Sequence, residues 1–273
     1  MKTWLITGCS SGIGRGIAKA ALEAGNQVVA TARDIEKLRA LTETHPDTAL
    51  AVKLDVERQE DIERAVETAR ERFGGIDVLV NNAGYGYRAA VEESESEEAR
   101  RLFNVNLFGP LALIQTVLPF MREQKRGTIV NVTSIGGVRG AVGNGLYSAA
   151  KGAMELLSDT LYKECEPLGI RVLTVEPGAF RTGFYGSLRG TAKNIGDYAE
   201  TAGKWHIENV TNYHDQPGNP DKAGRLIVET VNGETLPKRL ALGSDAVRII
   251  RAEYEDRLAE LDRWSEVSSR TDF

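Results

Sequence analysis

Tyr147 and Lys151 stand four residues apart in "YSAAK", a spacing that puts both side chains on one face of a helix. A phenol with an ordinary pKa of about 10 is a poor base near neutrality, and a neighbouring ammonium favours its phenolate. Ser134 closes the run "NVTS" thirteen residues earlier, where a hydroxyl can hydrogen-bond a substrate oxygen. Asn106, in "NVNLFG", falls on the helical segment between two strand-like runs. A Tyr-x-x-x-Lys pair alone is common on helix surfaces. The four together, around a nucleotide pocket, describe proton transfer to or from an oxygen.

That pocket is announced by "LITGCSSGIGRG", Leu5 to Gly16. Gly8 permits a tight turn after a strand, Gly12 lets the backbone approach a pyrophosphate, and Gly14 lets the next helix pack near the sheet with its N-terminus toward the anion. Ser10, Ser11 and Ile13 belong to the same loop, and the Ser11 hydroxyl offers a further contact. Asp55, followed by Val56, ends the third strand-like run, where a carboxylate can accept a hydrogen bond from an adenine amino group. Asn82, Ala83 and Gly84 of "NNAG" close the fourth. NAD sites usually carry an acidic residue at the end of the second strand, about 20 residues beyond the glycines. Here Ala32 and Arg33 occupy that place. A guanidinium pairs with a 2′-phosphate that a carboxylate would repel, so the sequence predicts NADP(H) in preference to NAD(H). The competing reading makes Arg33 a solvated charge beside Asp34.

The elements that must position these residues alternate. "WLITG", "QVVATA", "LAVKLDV", "DVLVNNAG", "TIVNVTS" and "VLTVEPG" read as strands, with a seventh at "RLALGS". Helical periods fall between them: Ile13 to Ala24, a charged helix from Ile35, Asp61 to Phe73, two helices from Ser96 to Glu123, Tyr147 to Glu166, and Lys222 to Val231. Strands apolar throughout are those covered on both faces, so the expected fold class is α/β. It is a Rossmann-type doubly wound parallel sheet of about seven strands, order 3-2-1-4-5-6-7, with helices on both faces. No linker or repeat divides the chain, which predicts a single domain over 1–273. Within it, 183–220 breaks the rhythm with Gly, Pro, Asn and the aromatics Phe184, Tyr185, Tyr198, Trp205 and Tyr213, and is read as a substrate lid. Gly136 and the stretch through Gly143 and Asn144 precede Tyr147 and are expected, with Phe184, on the substrate side.

Composition excludes other classes. At 273 residues and 41% hydrophobic content the chain can bury a substantial core, and a net charge of -5 provides no basic field for nucleic acid. Cys9 and Cys165 are too few for a disulfide scaffold, which points to a reducing compartment, the cytoplasm. A strand starting at Lys2 leaves no room for a signal peptide, and no apolar run is expected to approach the ~20 residues of a membrane span. His45, His206 and His214 lie outside any motif, so neither a metal nor a catalytic histidine is predicted. His206 and His214, in the lid, are expected to be solvated or to touch substrate. Cys9 reads as a small filler. The closing helix "VRIIRAEYEDRLAELDRW" spaces Val247, Ile250, Tyr254, Leu258 and Leu261 to cover the domain or join a subunit interface.

The motif set resembles the single-domain branch of the short-chain dehydrogenase/reductases: Thr7 to Gly14, "NNAG" at 81–84, Asn106, Ser134, Tyr147 with Lys151, and "PGAFRT" at 177–182. The resemblance implies Tyr147 as acid/base, Ser134 holding the substrate oxygen, and Lys151 lowering the tyrosine pKa while binding the nicotinamide ribose. Asn106 would anchor a relay water, and Pro177, Gly178 and Thr182 would meet the nicotinamide end. The implied activity is hydride transfer between nicotinamide and a ketone or secondary alcohol. "TGCSSGIG" and "VVATARD" resemble members acting on bulky apolar substrates. The alternatives are a non-catalytic NADP(H) sensor, or other nicotinamide chemistry such as epimerisation. The family implies a homodimer or homotetramer built on the helices 104–123 and 147–166.

Overall fold

A computed structural model describes residues 1–210 and 215–273. Seven strands form one parallel sheet: β1 (Thr3–Ile6), β2 (Gln27–Ala32), β3 (Ala49–Lys53), β4 (Val78–Asn81), β5 (Gly127–Val132), β6 (Ile170–Pro177) and β7 (Arg239–Leu242). Their order is β3-β2-β1-β4-β5-β6-β7, the order expected for the doubly wound fold. Leu5 on β1 pairs with Val29 on one side and Leu79 on the other. Alternate residues then feed opposite cores. Trp4, Ile6, Val28, Val130 and Leu173 pack on one face, and Leu5, Val29, Leu79, Ile129 and Val172 on the other.

The first face is covered by α1 (Gly12–Glu23) and α8 (Pro220–Asn232). They cross backbone to backbone, because a Cβ on Gly224 would lie 2.1 Å from the Gly16 carbonyl carbon and one on Gly16 would lie 2.3 Å from Pro220 O. The second face is covered by α3 (Gln59–Phe73), α5 (Gly109–Gln124) and α7 (Gly145–Cys165). All strand C-termini therefore open on one edge, where parallel sheets bind ligands.

Several elements depart from expectation. The charged helix expected from Ile35 is a 3₁₀ turn, Ile35–Leu38, followed by the short α2 (Arg39–Thr44). The Asp34 carboxylate accepts from Glu36 N–H and tightens this turn. The two helices expected from Ser96 form one continuous stretch: α4 (Ser96–Phe103), a π-helical turn at Asn104–Phe108, and α5. By length and composition Ser96–Gln124 could cross a membrane, which corrects the expectation that no such run exists. Here Leu102, Leu113, Ile114, Val117 and Met121 of that stretch are buried in the folded body.

The described residues of the segment 183–220 form short 3₁₀ turns and one strand, Arg189–Gly190, that pairs in parallel with Tyr87–Arg88. His206 is neither solvated nor at a substrate surface. It is buried, with Nε2 2.8 Å from a carboxylate oxygen of Glu93, which is itself fully buried. The Glu93 carboxylate also accepts from Ala90 N–H and Ile195 N–H. Tyr213 and His214 lie outside the described residues. The closing helix α9 (Ser244–Ser268) buries Ala246 and Ile250 against Val138, and Arg257 donates to Val138 O at 2.7 Å. Leu258, Leu261 and Trp264 beyond are exposed.

Candidate active site

A cavity of about 1070 Å³ runs along the strand C-termini. That volume is at the upper end of the ~300–1,000 Å³ of ligand pockets. One end is the glycine loop. Gly8 and Gly12 have φ of +73° and +61°, which side-chain-bearing residues rarely adopt. Gly14 does not face the cavity. A Cβ there would sit 2.3 Å from Asn82 Nδ2, so its role is close packing. Ser11 caps α1 without a side-chain hydrogen bond, and Ser10, Ser11, Gly12 and Ile13 line the cavity, directing the helix N-terminus into it.

The loop is pinned by the fourth strand. Thr7 Oγ1 accepts from Asn82 N–H and Ala83 N–H and donates to Val80 O, while Asn82 Nδ2 donates to Thr7 O at 2.9 Å. Asn82, Ala83 and Gly84 all line the cavity. Asp55 and Val56 do too. One Asp55 oxygen accepts from Glu57 N–H, and its own N–H donates to the buried carboxylate of Asp61, a positioning role the sequence did not reveal. Arg33 lines the far end, exposed and with no ion pair among the described residues, whereas Asp34 is engaged by Glu36 N–H and by Lys37 at 3.8 Å. These residues fit a nicotinamide dinucleotide.

At the other end, Tyr147 and Lys151 project from the first turns of α7, both buried. Burial pushes the Tyr147 phenol up to about 12, against the pull of a hydrogen bond with Ser134 and the charge of Arg88. Burial also brings the Lys151 ammonium down to about 8, with Glu155 opposing. Lys151 Nζ donates to Val132 O at 3.0 Å and lies 5.9 Å from the Tyr147 ring centre. The charge of Arg88 also pulls on the phenol, while the Lys151 ammonium is held by the strand carbonyl over the Tyr147 ring. Ser134 Oγ accepts from Gly136 N–H, which fixes the hydroxyl beside Tyr147. A Cβ on Gly136 would already touch the Tyr147 ring at 3.2 Å.

Asn106 lies behind the cavity wall in the π-helical turn, buried. Its Nδ2 donates to Tyr85 O and Leu102 O, and its Oδ1 has no partner among the described residues. A Cβ on Gly84 would come 2.6 Å from this oxygen and 3.3 Å from Lys151 Nζ, so Gly84 keeps the two polar groups in reach of one small space. Pro177, Gly178 and Thr182 line the cavity between its halves. Asp245, at the start of α9, holds Ala179 N–H at 2.7 Å and would clash with any Cβ on Gly178. Thr182 packs on Gly12, 3.1 Å from the position of a Cβ there.

Phe184 sits over the site, its ring 5.7 Å from that of Tyr147. Asn144 lines the Tyr147 half of the cavity, but Gly143 does not. It takes φ +71°, and a Cβ there would meet Trp205 at 2.9 Å. Tyr85, Arg88, Arg139 and Arg189 also line this half and carry no motif. The one sequence signal for Arg88 is a lone cation in the run "GYGYRAAV". Cys9 is buried, its thiol pushed up to about 12 and donating to Ile6 O, as a filler would be. Among the described residues no group of His, Cys, Asp and Glu could hold a metal.

Comparison with known proteins agrees with this architecture. The family model described as short chain dehydrogenase matches residues 2–193. An oxidoreductase of Botryotinia fuckeliana, BOA17, is 35% identical over 268 residues, covering 98% of each chain. The crystal structure of a short-chain dehydrogenase from Streptomyces avermitilis superposes with a TM-score of 0.91 at 43% identity, over 99% of this chain and 98% of that one. Both nicotinamide dinucleotides occur among solved neighbours. An alcohol dehydrogenase of Thermococcus sibiricus complexed with 5-hydroxy-NADP has 27% identity and TM-score 0.73, covering 89% of this chain and 96% of that one. A 3-ketoacyl-(acyl-carrier-protein) reductase of Brucella melitensis complexed with NADH has 28% identity and TM-score 0.74, covering 88% and 96%. Fold, cavity and matches together place the chain in the short-chain dehydrogenase family of oxidoreductases.

Proposed function

We propose that this chain is an NADP(H)-dependent carbonyl reductase or alcohol dehydrogenase acting on bulky substrates with an apolar body. The observation that carries the reading is Tyr147 beside Ser134, in the same cavity as the glycine loop and as Arg33, which has no ion pair among the described residues. Reduced nicotinamide, when bound, would supply the hydride to the carbonyl carbon. Ser134 holds the carbonyl oxygen, and Tyr147 O–H donates the proton that turns the developing alkoxide into an alcohol. A phenol at about 12 is protonated across the neutral range, ready to act as that acid. Lys151 Nζ and Asn106 Oδ1 provide donor and acceptor for a water that returns the proton to Tyr147.

Arg33 supports NADP(H), because a free guanidinium stands where a carboxylate would repel the 2′-phosphate. Retention of both Tyr147 and Lys151 gives no support to a non-catalytic sensor. Phe108 and Leu156, exposed on the Asn104–Phe108 turn and on α7, favour a homodimer or homotetramer built on those helices, and we place the protein in the cytoplasm. The test follows the loss of reduced-nicotinamide absorbance with NADPH and NADH in parallel, over simple, aryl and polycyclic ketones. Turnover of the bulky ketones with NADPH supports the reading, and no turnover despite tight NADPH binding overturns it.

A further inference from the structure

Four arginines line the cavity from its middle to its substrate end: Arg88, Arg101, Arg139 and Arg189. Two are neutralised. Arg101 pairs with Glu57 at 3.5 Å, and Arg189 with Glu98 at 3.1 Å. Arg88 differs. Its Nε is buried without a hydrogen-bond partner, and no carboxylate pairs with its guanidinium among the described residues. Burial lowers its pKa from the ordinary arginine value, and the groups that act on it electrostatically are the phenols of Tyr185 and Tyr147.

A guanidinium does not shed its proton at physiological pH, so an unpaired one, half-buried as here, is held at a cost in desolvation. The fold accepts that cost beside the reacting phenol. Arg88 is fixed by the short pairing of Tyr87–Arg88 with Arg189–Gly190 and by the bridge of Ala89 to Asn144. The walls around it, Tyr85, Phe184, Tyr185 and Trp205, suit an apolar body. A flat five-donor fork is matched by a planar oxyanion, and a carboxylate is the common one.

We infer that the substrate is a keto acid, or the corresponding hydroxy acid, with an aromatic or aliphatic body, whose carboxylate is seated on Arg88 while its carbonyl meets Ser134 and Tyr147. This rests on the carbonyl-reductase reading. It adds that specificity comes from charge recognition as well as from apolar fit.

The test uses the series from benzoylformate to benzoylbutyrate, each beside its methyl ester. Titration calorimetry of the NADP⁺-saturated protein measures binding without turnover, and NADPH consumption gives kcat/KM. The expected result is at least tenfold preference for one or more acids over the matching ester in both assays. That ratio should fall to near one in Arg88→Met and lie between in Arg88→Lys, which keeps the charge and loses the fork. Thermal unfolding with and without NADP⁺ confirms that each variant is folded. The inference is overturned if no acid binds better than its ester. It is also overturned if Arg88→Met lowers acid and ester alike while shifting the pH profile, since Arg88 would then serve the Tyr147 phenol. Acid binding without turnover would sustain the anion site and reject the reductase reading, so the two failures are separable.

Discussion

The buried carboxylate of Glu93 takes His206 Nε2 at 2.8 Å across 113 residues of chain and, through Ile195 N–H, holds the turns Gly196–Tyr198 and Ile207–Asn209 against the loop that follows β4. Burial opposes its ionisation, but the hydrogen bonds from Ile195, Ala90 and His206 win and keep the carboxyl below the ordinary carboxylate range. A depressed folded pKa gives stability that is present above the unfolded pKa of about 4.3 and lost as pH falls through the folded value.

Glu93→Gln leaves one of three donors facing an amide N–H₂, at a cost of ~1–3 kcal/mol. Limited proteolysis should then cut within 185–210 at rates at which the parent resists. KM for the ketone should rise while NADPH affinity stays within a few fold, because the glycine loop is untouched.

Tyr147→Phe removes the hydroxyl beside Ser134 that is assigned to give the proton. Turnover should fall by about a hundred- to ten-thousand-fold. NADPH binding, followed by fluorescence titration, should change little. A variant retaining most of its activity would take Tyr147 out of the mechanism.

Lys151 carries a stability cost that its function explains. Its folded pKa, about 8, is below the ordinary 10.5, so the unfolded chain binds more protons between these values and stability rises with pH across that window. Lys151→Met should remove this rise. At neutral pH it should leave the thermal midpoint of the cofactor-free protein unchanged or raised, because a buried ammonium is replaced by an apolar side chain of similar length. Activity should be lost at the same time. Thermal melts from pH 7 to about 10.5, with kcat in parallel, decide it.

Arg33→Asp should lower the ratio of NADPH to NADH activity by at least tenfold, since a 2′-phosphate would meet a carboxylate instead of a guanidinium. A ratio that does not move removes Arg33 from cofactor choice.

Gly224→Ala should lower stability by ~1–3 kcal/mol or more, read as a fall in the thermal midpoint. The new methyl would stand 2.1 Å from the Gly16 carbonyl carbon, and both neighbours are backbone, so α1 and α8 must separate. Because α1 carries the glycine loop, NADPH affinity should fall with it.

Short-range patterns made much of this protein readable from its residues. Apolar runs without alternation announced strands covered on both faces, and the seven-strand order followed. The glycine loop, Ser134, Tyr147 and Lys151 were legible because their geometry is set within one loop or one helical turn. The sequence by itself thus determined the sheet, the edge at which its strands end and the residue types gathered there.

Tertiary structure alone decided the rest, because those properties depend on partners far along the chain. His206 reads as a solvated lid residue until Glu93 is beside it, and Gly143 reads as a pocket residue until Trp205 covers it. Asn106 is aimed by a π-helical turn whose extra residue no periodicity announces, and Lys151 is turned to Val132 O by packing around it. The role inferred for Arg88 depends on folding, which buries its Nε without a hydrogen-bond partner and leaves its guanidinium with no paired carboxylate among the described residues. Desolvation is a property of the assembled neighbourhood, and a linear pattern does not contain it.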